Sequence, residues 1–226
     1  MFWICQLGET HYLEAFELQE KLREKRVGRE IPDLFLLTSH PAVYTLGKRP
    51  CEADFLSSKE TIAQAGIEII QSNRGGKITY HGPGQLVGYF IADIRSLKLS
   101  IPAFVDKIEG LLILTLKKWG LKAHRDKKYP GVWLGQKKIA ALGLHFDRGV
   151  SMHGFSLNVG PNLAHYQHIV PCGIRGRSVT SLCEELHQKI AFSAVEESII
   201  QQFSKILKGE IKTRNFLSKY SRFSDQ

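Results

Sequence analysis

The chain has 226 residues, enough for one large domain or two small ones and for a sizeable buried core. No apolar run approaches the roughly 20 residues that cross a bilayer, and Met1 to Cys5 lacks the basic start and small-residue cleavage site of a signal peptide, so a cytoplasmic protein with no membrane partner is expected. Lys plus Arg is 31 and Asp plus Glu is 22, a formal charge of +9, which favours an acidic partner, either nucleic acid or an acidic carrier protein, unless it is solvated surface charge with no dedicated partner; the aromatic and basic interleaving of RNA-binding motifs is missing, so nucleic acid is not expected.

Residues 2–7 read as a first strand. Thr10 is placed to cap a helix carrying Tyr12, Ala15, Phe16, Leu18 and Leu22 at near-helical spacing. Strands are expected over 33–38 and 42–46, around the Ser39-His40-Pro41 break. Ser57 and Glu60 have capping-box spacing for a short helix that Gly66 ends. Strands over 67–70 and 86–94 flank a glycine-rich loop. Ser100 and Pro102 open a helix that runs to Trp119 and stops at Gly120. A hairpin is expected from 138–145 and 151–159 around Asp147-Arg148-Gly149. An irregular segment, 160–177, precedes a late helix over 194–207 and a basic tail. No repeat or linker interrupts the chain, so residues 1–226 are read as one domain. Strands and helices mix without strict βαβ alternation, which favours an α+β fold with a mixed or antiparallel sheet.

Four segments carry candidate chemistry. The first, Arg74 to Gln85, holds four glycines in twelve residues together with Arg74, Lys77, Tyr80 and His81. Glycines let a backbone approach a ligand closely, although a surface turn is the alternative. A phosphate loop is excluded, because Gln71 stands where its first glycine belongs and Ile78 replaces the hydroxyl residue after Lys77. In the second segment, 135–143, alternation puts Lys138 on one face with Ala140, Leu142 and Leu144. Lys137 falls on the other, with Ile139, Ala141 and Gly143. A lysine on an apolar face needs a partner or a task, unless it is a strand-end lysine reaching solvent along its stem. In the third, Phe155, Leu157 and Val159 alternate with Gly154, Ser156 and Asn158, a small and polar face suited to a narrow slot or to a plain amphipathic strand. In the fourth, Cys172 lies between Pro171 and Gly173. It is therefore in a turn, where a reactive thiol or a structural one would each fit. His165, His168 and Cys172 have only loose metal-ligand spacing, and no second cysteine pair or His-Glu helix supports a metal. The chain has no Cys-x-x-Cys pair, and its cysteines are expected to be reduced.

Taken together and in this order, the segments resemble the lipoyl(octanoyl) transferase family. Arg-Gly-Gly-x-x-Thr-Tyr-His-x-Pro-Gly-Gln is matched over 74–85, Lys-Ile-Ala-Ala-x-Gly over 138–143, His-Gly-x-x-Leu-Asn over 153–158, and Pro-Cys-Gly-Ile over 171–174. Ser156 stands where many members carry Ala. The resemblance implies an α+β domain, a mixed β-sheet flanked by helices, similar to the catalytic domain of biotin and lipoate protein ligases. It implies Cys172 as acyl-thioester nucleophile and Lys138 as its activating partner. Arg74, Gly75, Gly76, Lys77, Ile78, Thr79, Tyr80, His81, Ala141, Leu142, Gly143, Gly154, Phe155 and Ser156 would line the acyl site. The donor would be octanoyl-acyl carrier protein, and the acceptors the lipoyl domains of 2-oxoacid dehydrogenase complexes or the glycine cleavage H protein. No metal, nucleotide or other cofactor is required, because a thioester donor is already activated. The nearest rival is an ATP-dependent lipoate ligase of the same fold, which would not need Cys172.

Overall fold

The structure, a computed structural model, describes residues 2–206 and 211–215. In chain order the elements are β1 (Phe2–Glu9), α1 (Tyr12–Val27), β2 (Asp33–Ser39), β3 (Val43–Leu46), α2 (Lys59–Gln64), β4 (Glu68–Gln71), β5 (Ile78–His81) and β6 (Gln85–Ile91). They continue with α3 (Ile101–Lys117), β7 (His124–Arg125), β8 (Val132–Leu134), β9 (Lys137–Asp147), β10 (Val150–Asn158), β11 (Ser178–Val179), α4 (Leu182–Leu186), α5 (Phe192–Ile206) and β12 (Ile211–Asn215). The larger sheet runs β12-β1-β2-β6-β10-β9-β8-β7, with β11 also on β9; the smaller runs β4-β3-β5. Parallel pairs (β1 with β2 and β12) adjoin antiparallel ones (β2-β6-β10-β9), so the sheet is mixed, as the irregular order of elements suggested. No helix among the described residues is long and apolar enough to cross a membrane.

Alternating side chains cover both faces of the larger sheet. Phe35, Phe90, Phe155, Leu157 and Ala140 pack against Phe104, Leu112, Val195 and Phe203 of α3 and α5. On the other face, Leu34, Leu36, Val87, Tyr89 and Met152 meet Ala15 and Leu22 of α1. The smaller sheet makes its own core, with Tyr44, Ile78 and Tyr80 against Ile62, Tyr166 and Ile169. Gly88 lies where the β6 and β10 side chains cross, and a Cβ there would sit 2.4 Å from the Phe155 ring. Gly88→Ala is expected to cost about 1–3 kcal/mol through overpacking, read as a lower urea midpoint with unchanged slope.

Several local expectations are corrected. His11, not Thr10, occupies the N-cap of α1, because the Thr10 hydroxyl is engaged by that of Thr38 at 2.7 Å. Ser58, not Ser57, caps α2 by accepting from the Thr61 N–H at 3.2 Å, while Ser57 bonds His168. The glycine-rich segment is not loop throughout. Residues Ile78–His81 form β5, whose Thr79 faces Thr45 across the smaller sheet. Short elements β7, β8, β11 and α4 lie in stretches where no element was expected, and the basic tail opens with β12. Residues 216–226 lie outside those described.

The correction that matters for function is in β9. Val132 pairs with Ala140, yet Trp133 pairs with Lys138. One residue of β8 therefore spans two of β9, and Ile139 is the extra one, a β-bulge. Ile139 and Ala140 both turn to the α3 and α5 core. Lys138 thus leaves the face of Ala140 and Leu142, where alternation put it, and shares the face of Trp133. Its ammonium lies 4.8 Å from the Trp133 ring centroid. Beyond the bulge, Ala141 pairs with Ser156 and Gly143 with Gly154, so the small side chains of two strands lie together beside Lys138.

Candidate active site

The segment Arg74 to Gly76 lies directly on β9. The Gly75 N–H donates to the Leu144 carbonyl at 2.9 Å. A Cβ on Gly143 would sit 3.1 Å from the Gly75 carbonyl and 3.3 Å from Cδ of Arg74, so glycine at 143 permits this close approach. The N–H groups of Gly47, Lys48 and Arg49 bond the carbonyls of Lys77, Arg74 and Gly76. The result is a cleft of about 380 Å³, open mouth included. Its floor includes Val87, Ala141, Gly154 and Ser156, its walls Tyr12, Arg74, Thr79 and His81, and Cys172 closes one side. A smaller adjoining recess is lined by Lys138, Thr79, Ser156, Asn158, Tyr166 and Cys172. Thr79, Ala141, Ser156 and Cys172 border both.

Cys172 sits in a single 3-10 turn, Pro171–Gly173, at φ 56° and ψ 14°, the left-handed region that a side-chain-bearing residue seldom adopts. Gly173 follows at φ 68°. Such backbone persists when its surroundings over-determine it, and here they do. The Val170 N–H donates to the Asp54 carbonyl at 2.7 Å, those of Gly173 and Ile174 close the turn, and Leu56 bonds His168. The stem of Lys77 lies against Gly173, and its ammonium is 3.2 Å from the Asp54 carboxylate. The thiol is half-buried at the meeting of cleft and recess.

Lys138 is buried. Its ammonium donates to the Pro130 carbonyl at 3.1 Å and lies against Gly131, where a Cβ would be 3.3 Å from Nζ. Lys137, one residue away, is exposed and pairs with Glu185 at 3.0 Å. His165 and His168 are not gathered with Cys172 as ligands: His165 bonds the Tyr80 hydroxyl at 2.8 Å and His168 the Ser57 hydroxyl at 2.8 Å.

Of the expected site residues, Arg74, Thr79, His81, Lys138, Ala141, Leu142, Gly143, Gly154, Phe155, Ser156 and Cys172 border the cleft or its recess. Gly75, Gly76, Lys77, Ile78 and Tyr80 do not line it. Gly75 and Gly76 seat the segment on its neighbours, Lys77 clips the cysteine turn, and Ile78 and Tyr80 fill the core of the smaller sheet. Tyr12, Tyr89 and His153 line the cleft without having been singled out. His153 carried a visible signal, since it opens the His-Gly-x-x-Leu-Asn segment; Tyr12 and Tyr89 arrive by packing of α1 on β6.

These groups are held neutral. The His40 Nδ1–H donates to the Thr10 carbonyl, and Nε2 accepts from the Tyr89 hydroxyl at 2.6 Å. Burial pushes His40 down to about 4 and, with the nearby Arg74 charge, His153 to about 3. Burial, then His40 and Arg74, hold His81 well below its usual value. The His81 Nδ1–H is fixed on the Gln85 side-chain carbonyl at 2.7 Å. In the unfolded chain histidine titrates near 6.5. Above that pH both states are neutral and stability is full; below it the unfolded chain takes up protons that the folded chain refuses. Stability should therefore fall by about 1.4 kcal/mol per histidine per pH unit from about pH 6.5 toward 4. Urea unfolding at about pH 7 and about pH 5 reads this, and His40→Gln should reduce the slope.

The lipoyl protein ligase A/B catalytic domain model matches residues 11–204. The octanoyltransferase of Alkaliphilus metalliredigens is 43% identical over 209 residues, covering 92% of this chain and 96% of the relative. That of Caldicellulosiruptor saccharolyticus is 41% identical over 218 residues, covering 96% and 92%. The structure of a lipoate-protein ligase A bound with ATP superposes with a TM-score of 0.72 at 18% identity, over 95% of this chain and 88% of that one, a likeness of fold. With nine-tenths of its length shared at about 40% identity, the chain belongs to the lipoyl protein ligase A/B catalytic domain family and, within it, to the octanoyltransferases.

Proposed function

We propose that the chain takes an octanoyl group from octanoyl-acyl carrier protein onto Cys172 as a thioester and passes it to a lysine of a lipoyl domain, in 2-oxoacid dehydrogenase complexes or the glycine cleavage H protein, in the cytoplasm. Octanoyl transfer in protein lipoylation follows from family membership. The observation that carries the thioester route is Cys172, held left-handed in its turn and bordering one cavity with Lys138 and the Gly-rich segment.

The Cys172 thiolate attacks the donor carbonyl, forming a carbon–sulfur bond and moving an electron pair onto oxygen. Collapse of that oxyanion breaks the carrier's carbon–sulfur bond, and the departing sulfur takes a proton from the Lys138 ammonium. The acceptor amine then attacks the acyl carbonyl. Cys172 leaves as thiolate, and neutral Lys138 accepts the amine proton, restoring the starting state. Val87, Ala141, Gly154 and Ser156 offer a floor of small side chains for the acyl chain, with Thr79 at the junction beside Cys172.

A thioester donor carries its own activation. Transfer from octanoyl-carrier to a lipoyl domain is therefore expected to run at full rate with ATP omitted and residual nucleotide removed enzymatically. Loss of transfer under those conditions would move the chain to the rival reading, ATP-dependent ligation on the same fold.

A further inference from the structure

Arg74 is 7% exposed, yet among the described residues no carboxylate forms an ion pair with it. Its guanidinium faces neutral acceptors instead. Nε donates to the Thr45 hydroxyl at 2.9 Å, Nη1 to the Gly75 carbonyl at 3.0 Å, and Nη2 to the Thr45 carbonyl. A buried cation is ordinarily paired, because it gives up hydration and needs a compensating charge.

The cavity wall identifies the missing anion. Burial raises Tyr12 and drives Tyr89 well above its usual value, so both stay neutral phenols. His81 and His153 stay neutral imidazoles. Among the groups lining the cleft with Arg74, that leaves Cys172 as the one able to carry negative charge, and the two border the same cavity. Around the cysteine turn, Asp54 is occupied by Lys77, and Tyr166 is kept protonated by burial and by Cys172 itself. Lys138 directs its ammonium to the Pro130 carbonyl and the Trp133 ring.

We infer that Arg74 is the fixed countercharge of this cavity, stabilising the Cys172 thiolate and then the oxyanion formed when that thiolate attacks an acyl thioester. Arginine does not deprotonate in proteins, whereas lysine can. The work is thereby divided: Arg74 holds charge, and Lys138 moves protons. The oxyanion half of the inference rests on the acyl-thioester route above; the thiolate half does not.

The test is the pH profile of Cys172 alkylation by iodoacetamide, resolved by peptide mass spectrometry because the chain has three other cysteines. Arg74→Met should move the profile up by about one pH unit or more, the effect of removing a nearby opposite charge. Arg74→Lys keeps the charge but loses the planar fork, so it should restore the profile while remaining less stable than the parent. If Arg74 only braces the loop, both variants lose stability and neither moves the profile, which would overturn the inference. Should Arg74→Met fail to fold, Lys138→Ala in the intact cavity decides. In that background the further substitution Arg74→Lys must leave the Cys172 profile in place while Arg74→Gln moves it upward, and equal profiles for the two would overturn the inference. Octanoylation of the parent at Cys172 is scored separately, so failure of the acyl-enzyme route is distinguishable from failure of the countercharge.

Discussion

Cys172→Ala is expected to abolish octanoyl transfer while leaving the fold intact. The side chain is half-buried in a turn held by backbone hydrogen bonds and by the Lys77 and Asp54 clip, none of which uses the sulfur. Removing it leaves little cavity in the core, so thermal stability should stay near that of the parent. Turnover should fall by at least about a thousandfold, the order of loss when a covalent enzyme loses its nucleophile. Cys172→Ser should fare almost as badly, because an un-ionised hydroxyl is a far weaker nucleophile than a thiolate. Mass spectrometry of the lipoyl domain checks both variants; full transfer by Cys172→Ala would exclude the thioester route.

The second large effect is expected at Lys138, with Lys137 as its internal control. The two are chemically identical and adjacent, and the bulge at Ile139 decides between them. It sends Lys138 into the recess bordered by Cys172 and leaves Lys137 outside on Glu185. Lys138→Ala should slow transfer by about a hundredfold to ten-thousandfold, the usual weight of a proton-transfer residue, and should move Cys172 alkylation to higher pH. Lys138→Arg keeps positive charge but cannot take the amine proton. It should form acyl-enzyme in a single turnover and then fail to discharge it to the lipoyl domain. Lys137→Ala should be nearly silent, losing only an exposed ion pair that solvent screens. Equal behaviour of the two lysines would contradict the placement.

Much of this was legible in the chain because local patterns and packing agree. The β9 and β10 hairpin announces itself through Asp147-Arg148-Gly149 and the alternation of Phe155, Leu157 and Val159, all of which enter the core. The Pro171-Cys172-Gly173 turn is equally plain, since a helix or strand interior tolerates neither neighbour well. The bulge at Ile139 was not legible. Strict alternation had Lys138 pointing with Ala140, and only the pairing with Trp133, supplied by a three-residue strand too short to recognise, reverses it. The glycine-rich segment misled in the opposite sense. Four glycines suggested open loop, but Thr79 and Tyr80 pair with Thr45 and Tyr44, which are far away in sequence. Tyr12 and Tyr89 belong to the site because α1 lies across β6, a long-range contact that no local spacing encodes.

The most direct measurement is the intact mass of the purified protein after mixing with octanoyl-acyl carrier protein in the absence of ATP. A gain of one octanoyl group is expected, located at the peptide bearing Cys172, reversed by hydroxylamine and discharged when a lipoyl domain is added. An unchanged mass under conditions in which the lipoyl domain nonetheless becomes octanoylated would contradict the thioester intermediate, and with it the role assigned to Cys172.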